Sequence, residues 1–178
     1  MINDFETWTN EMINFHLPRW DELPDVDLYK DQVITLVQRY LAPLNIKTDT
    51  LITPSIINNY VKLKIVPKPN SKKQYSRLHL AYFITISALK QIMNINDVKY
   101  GIEYETKMVG EIEAYNRFAN ALENSLREIC TRLNHKDEVA YVKDSDIGMS
   151  LSCTALASML VARNFFTFEK RRLEKESE

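Results

Sequence analysis

Glycine is scarce in this chain of 178 residues, which contains only Gly101, Gly110 and Gly148. Their spacing cannot form the glycine-rich turn that cradles phosphate between a strand and a helix, so the common nucleotide-binding folds are excluded. The two cysteines, Cys130 and Cys153, form no Cys-x-x-Cys pair. Because no export signal is evident, we expect both to be reduced packing residues of a cytoplasmic protein.

Long apolar runs and catalytic motifs are also missing. The most apolar stretch, 147–168, is interrupted by serines and an arginine, which favours a buried helix over a membrane span. The three histidines lie far apart, and no His-Glu-x-x-His or Gly-x-Ser-x-Gly motif occurs. We therefore expect no membrane association, no catalytic residue, no metal and no cofactor. An enzyme would need a polar pocket that the sequence does not display.

Most segments repeat apolar residues at helical spacing, and no convincing strand pattern occurs, so we predict an all-α fold. A short arm or helix over residues 1–24 should cover the core, with Asp25 or Asp27 capping the helix that follows it. Thr53 should cap the next helix, with Pro54 at its first position. Helices are predicted at 28–41, 54–64, 77–93 and 97–100, the last capped by Asn96 and ended by Gly101.

The second half of the chain carries a different pattern. From Met108 to Leu133, apolar residues recur at alternating steps of four and three, which is typical of a heptad seam on one long helix over 103–134. Its partner is either the same helix of a second copy or the apolar 147–168 helix of the same chain. We expect a homodimer through the 103–134 and 147–168 helices, and we divide the chain into domains at 1–102 and 103–178.

Positive charge is concentrated in one place. Seven basic residues and no acids lie between residues 50 and 96, so the rest of the chain, whose total net charge is −1, carries −8. Several of these residues lie in a proline-bounded segment at 67–76, which we call the basic loop. Such an asymmetry suits contact with a polyanion on one face, and DNA is the candidate that fits best.

The predicted helix before the basic loop has a polar face. Its members lie at spacing i, i+3, i+4 and i+7, namely Ser55, Asn58, Asn59 and Lys62. Amides can pair with adenine edges through two hydrogen bonds, and lysine can reach phosphate or guanine. An ordinary solvated face is the competing interpretation of this stretch taken alone.

The order of these elements resembles the winged helix-turn-helix of the MerR family of transcription regulators, over residues 50–102. In that family the recognition helix begins Ser-Pro, continues into Tyr-x-Lys-Leu and ends in two aliphatic residues. The matching segments here are Thr53-Pro54, Tyr60-Val61-Lys62-Leu63, Ile65-Val66 and Tyr75-Ser76. The family usually carries arginine at the positions of Ser55 and Asn58 and glycine at that of Lys64.

A second resemblance covers residues 15–102. The segments HLPRWDELPDVDLYKDQV, INNYVKLKIVPKP and QYSRLHLAYFITISALKQI are similar to the bacterial domain-of-unknown-function family numbered 1836. That family is found mainly in Gram-positive bacteria and is uncharacterised. The resemblance implies little about function, so the functional hypothesis depends on the residues themselves.

The leading hypothesis is a transcription regulator that binds double-stranded DNA as a homodimer. The polar helix face would enter the major groove, and basic side chains would contact phosphates from the wing, namely Lys68, Lys72, Lys73 and Arg77. The fold would be a MerR-like winged helix-turn-helix followed by a C-terminal helical dimerisation region. The alternative is a non-enzymatic protein-interaction module that keeps the helix-turn-helix shape without binding DNA.

Overall fold

The computed structural model describes residues 5–44 and 51–134, together with Ala155, Ser158 and Glu174. Within this part the chain forms six α-helices and two short 3-10 turns. The described residues contain no strand, only one isolated antiparallel bridge between Leu28 and Tyr75, so the all-α prediction is confirmed. The helices are α1 Phe5–Ile13, α2 Lys30–Leu41, α3 Pro54–Lys62, α4 Arg77–Leu89, α5 Ile95–Val109 and α6 Glu111–Asn134.

Helix α4 lies at the centre of the fold. Its sequence is apolar on almost every side, so it is buried by packing against α2, α5 and α6. Helix α2 contributes residues at every fourth position, Val33, Val37 and Leu41, all of which are fully buried. The completely buried side chains of α4 are Leu80, Phe83, Ile84 and Ile86.

The N-terminal segment packs on α6. Helix α1 lies against α6, and the chain then continues along it towards α2. Tyr115 Oη donates a hydrogen bond to the carbonyl oxygen of Pro18 at 2.7 Å, and the Trp20 ring meets the Tyr115 ring edge-on. Burial raises the pKa of Tyr115. The expected short helix over the core is therefore α1.

A buried carboxylate joins this segment to α6. Glu123 accepts hydrogen bonds from Leu17 N at 2.8 Å, from Arg19 Nη1 at 2.7 Å and from Arg19 Nη2 at 2.6 Å. These bonds favour the ionised form and hold the pKa of Glu123 below its usual value, with the Arg19 bond as the largest cause. His16 lies between Glu123 and Glu22, at 3.2 and 2.9 Å.

The helix after α4 differs from prediction at both ends. Asn94, not Asn96, is the cap, and its side chain accepts bonds from the backbone N–H groups of Asn96 and Asp97 at 3.0 Å. The helix then continues through Gly101, and Gly110 ends it with a φ of 81°. Because glycine adopts this left-handed region without steric cost, Gly110 is the residue that can end the helix here.

The predicted single helix over 103–134 is therefore wrong. Gly110 divides it into the end of α5 and the whole of α6, and these two helices pack against each other. The residues of the predicted heptad seam therefore differ in burial. Tyr115 and Ala119 are buried within the chain, whereas Met108 and Ile112 are more than half exposed. The heptad pattern missed this break because Gly110 occupies a position outside the apolar seam.

Three smaller predictions have clear outcomes. The cap of α2 is Tyr29, whose N–H donates to Gln32 Oε1 at 2.8 Å, so the Asp25 or Asp27 cap is wrong. Cys130 is buried, as expected, and burial raises the pKa of its thiol. Helices α3 and α4 end at Lys62 and Leu89, slightly earlier than predicted.

Some predictions remain open. Cys153 lies outside the described residues, as does the 147–168 helix apart from Ala155 and Ser158. The division into domains at residue 102 stays a prediction, and this boundary lies inside α5. None of the helices in the described ranges is long and apolar enough to cross a membrane.

Candidate nucleic-acid interface

Helix α3 presents the predicted polar face to solvent. Thr53 Oγ1 accepts a hydrogen bond from Ile56 N at 3.2 Å, and Pro54 occupies the first helical position, where a missing N–H costs nothing. Ile57 and Tyr60 are buried and fix the rotation of the helix about its axis. The side chains on the opposite face, all exposed, are Ser55, Asn58, Asn59 and Lys62.

The turn after α3 has an unusual backbone. Lys64 adopts a φ of 56°, in the left-handed region that costs a non-glycine residue about 1 kcal/mol. This conformation lets the N–H groups of Ile65 and Val66 return to the carbonyl oxygen of Tyr60, at 3.0 and 3.4 Å. Both residues are buried as a result. Lys64 thus adopts a conformation that glycine reaches without steric cost.

The basic loop is organised by one side chain. Asn70 Oδ1 accepts hydrogen bonds from the backbone N–H groups of Lys72 and Gln74, each at 2.9 Å. The Asn70 N–H also donates to the carbonyl oxygen of Gln74 at 3.0 Å, and the Asn70 carbonyl oxygen accepts a hydrogen bond from Lys73 N at 2.9 Å. Asparagine favours such turns because its side chain replaces a backbone acceptor. Lys68, Lys72 and Lys73 are exposed on this ordered turn.

The basic loop is joined to the preceding arm. Leu28 and Tyr75 exchange two backbone hydrogen bonds of 2.8 Å each. Asn70 Nδ2 also donates to Asp27 Oδ2 at 3.0 Å. The loop is therefore held at its tip and at its end by the segment that leads into α2.

A buried histidine joins the same loop to α4. Ser76 N donates to His79 Nδ1 at 3.0 Å, so His79 occupies the position that glutamate takes in a capping box. Since Nδ1 accepts, the proton belongs on Nε2, which lies 3.1 Å from the carbonyl oxygen of Lys68. The Tyr75 ring meets His79 and Phe83 edge-on. His79 therefore helps to cap the start of α4 and joins it to the carbonyl oxygen of Lys68.

Arg77 lies in a different environment from the lysines. Its side chain is only 18% exposed, and its guanidinium faces Asp25 at 3.3 Å and Asp21 at 3.8 Å. Sequence reasoning missed these neighbours because the acid-free stretch was counted along the chain, whereas the acids come from the arm before α2. Contact between Arg77 and DNA stays a prediction, and it would require breaking these pairs.

Lys30 is a member of this surface that the sequence did not reveal. It is the first residue of α2, and its Nζ donates to Asn58 Oδ1 at 2.7 Å. Lys30 lies outside the acid-free stretch, so no charge count selects it. Only the packing of α2 against α3 brings its ammonium to the polar face.

A family model described as "Domain of unknown function (DUF1836)" matches residues 18–121. The chain belongs to this family. The match covers more than half of the sequence and includes α2 to α5, so all residues of the candidate interface lie within the DUF1836 region. No curated protein and no solved structure matches the chain.

A separate groove lies among helices α4, α5 and α6. It has a volume of about 580 Å³ and is lined mainly by apolar side chains of α4, α5 and α6, with Ser158 at its wall. In the described ranges, no group of three histidine, cysteine or carboxylate side chains is placed to hold a metal ion.

Proposed function

We propose that this protein is a cytoplasmic transcription regulator that binds double-stranded DNA through a MerR-like winged helix-turn-helix. Helices α2 and α3 would form the helix-turn-helix, and the basic loop would be the wing. One observation carries the proposal: an exposed amide and lysine face on α3 lies beside an ordered loop with three exposed lysines. Base edges would be read by Ser55, Asn58, Asn59 and Lys62, while Lys68, Lys72 and Lys73 would contact phosphates.

Order in the loop supports this function. A wing that binds phosphates loses less conformational entropy when its lysines already project from a fixed backbone. The Asn70 bonds fix the turn, and the Leu28–Tyr75 bridge and His79 fix its two ends. The wing would therefore approach a duplex with its backbone already fixed against α4 and the arm before α2.

We further propose that two copies associate through the region of α5, α6 and the 147–168 segment. Large apolar side chains are exposed on the described part of this region, namely Met108, Ile112 and Ile129. Exposed apolar side chains on adjoining helices are a common feature of interfaces between subunits. A two-fold dimer would place two α3 helices on successive turns of the duplex.

A protein-interaction module that lacks DNA binding is the alternative. Two observations favour it: Asp21 and Asp25 stand beside Arg77 at the edge of the surface, and Val26 and Tyr29 are 64% and 60% exposed. The acids weaken the positive field at this edge. The apolar side chains would suit a protein partner.

The deciding experiment is charge reversal in the wing. Lys72→Glu/Lys73→Glu should weaken binding to genomic fragments and reduce the salt dependence of affinity by at least about two counterions per copy. The matched control is Arg39→Glu/Lys90→Glu, which makes the same change of charge in the last turn of α2 and at the end of α4, outside the wing and outside the proposed dimer contact. If both variants weaken binding equally, or if the wing variant keeps the wild-type salt slope, the wing assignment is wrong.

A further inference from the structure

Lys30 and Asn58 form a polar pair on the proposed recognition surface. The ammonium of Lys30 lies 2.7 Å from Asn58 Oδ1 and donates to it. Asn58 is exposed on the solvent face of α3, and Lys30 is half-buried at the start of α2. The contact therefore joins the two helices of the proposed helix-turn-helix and includes a residue expected to read bases.

The pair changes which hydrogen bonds Asn58 can offer. A free asparagine amide suits adenine, because Nδ2 donates to N7 while Oδ1 accepts from the N6 amino group. With the ammonium of Lys30 on Oδ1, the acceptor end of the amide is occupied by a cation. That cation repels the amino hydrogens of adenine and cytosine. The amide nitrogen and the remaining ammonium hydrogens then present only donors.

Guanine is the base that matches this arrangement. Its major-groove edge carries two acceptors, O6 and N7, and no donor. We propose that Lys30 sets the base preference of Asn58, so that the protein reads guanine where an unpaired asparagine would read adenine. This inference rests on the DNA-binding function proposed above, and it assigns Lys30 as a residue that determines specificity.

The test is selection of duplexes from a random library by the full-length protein. An Asn58→Ala variant first identifies the contacted position, which should lose its base preference. At that position wild type should enrich guanine, and Lys30→Met should shift the preference towards adenine by roughly tenfold. Lys30→Arg keeps a charged donor and should retain guanine.

Lys68→Met is the matched control. It removes one lysine ammonium, as Lys30→Met does, but the Lys68 side chain belongs to the basic loop rather than to the Asn58 pair. It should lower affinity for all duplexes alike and leave the base preference unchanged. Circular dichroism spectra that match wild type show that each variant is folded.

The outcomes separate this inference from the proposal on which it rests. Selected DNA that keeps guanine with Lys30→Met, or that carries adenine with wild type, overturns the role of Lys30 and leaves DNA binding intact. Failure of wild type to retain any duplex at low salt overturns DNA binding itself, and the role of Lys30 with it.

Discussion

Replacing Glu123 with alanine should strongly destabilise the fold, because it leaves Arg19 without its buried partner. Its carboxylate is 8% exposed and receives three short hydrogen bonds, two from Arg19 and one from Leu17 N. Removing one partner of a buried ion pair costs about 3–5 kcal/mol in unfolding free energy. Because the Arg19 side chain is 25% exposed and can regain water, we expect the lower end, about 3 kcal/mol.

Urea denaturation measures this cost, provided that the slope of the unfolding free energy against urea concentration is the same for wild type and variant. The control is Glu113→Ala on the same helix, which removes an exposed pair with Arg117 at 2.8 Å and should cost at most about 0.5 kcal/mol. The pH dependence gives a second readout. The folded pKa of Glu123 is lowered, so its stabilisation is complete above its unfolded pKa and is lost as the pH falls through the folded value.

In wild type, stability should therefore decline below about pH 4.5 more steeply than in Glu123→Gln, which has no carboxylate to protonate at that position. Equal costs for Glu123→Ala and Glu113→Ala would refute the reasoning. So would identical acid profiles for wild type and Glu123→Gln.

Three further changes test the interface and the subunit contact. Asn70→Ala removes the acceptor that organises the basic loop, so it should speed amide exchange there and lower the unfolding free energy by about 1–2 kcal/mol, whereas Ser71→Ala should change neither. Lys64→Gly should raise the melting temperature because it relieves a φ of 56°, and a lower melting temperature would contradict that strain. Met108→Glu/Ile112→Glu should convert a dimer into a folded monomer by light scattering, and an unchanged mass would remove these residues from the dimer contact.

The α3 surface could be predicted because it depends on local rules. Thr53 and Pro54 mark the start of the helix, and the positions of Ile57 and Tyr60 decide which side faces the core. A spacing of three and four residues then places Asn58 and the other polar residues on the opposite side. No long-range contact is needed for that conclusion.

The missed features all depend on distant contacts or on backbone conformation. Asp25 reaches Arg77, and Lys30 reaches Asn58, only because separate elements fold together. Asn94 replaces Asn96 as the cap by a shift of two residues, which periodicity does not distinguish. The burial of Glu123 was missed because a charged residue beside an apolar seam is expected to face solvent. Only the N-terminal segment, which carries Arg19, covers it in the fold.

The salt dependence of duplex binding tests the central proposal most directly. With Lys68, Lys72 and Lys73 on phosphates, the logarithm of affinity should fall against the logarithm of salt concentration with a slope of about −3 for one copy and about −5 for a dimer. We predict binding whose affinity has this salt dependence and is tighter for a selected duplex than for a scrambled one. No binding at low salt, or a slope near zero, would contradict DNA recognition by α3 and the basic loop.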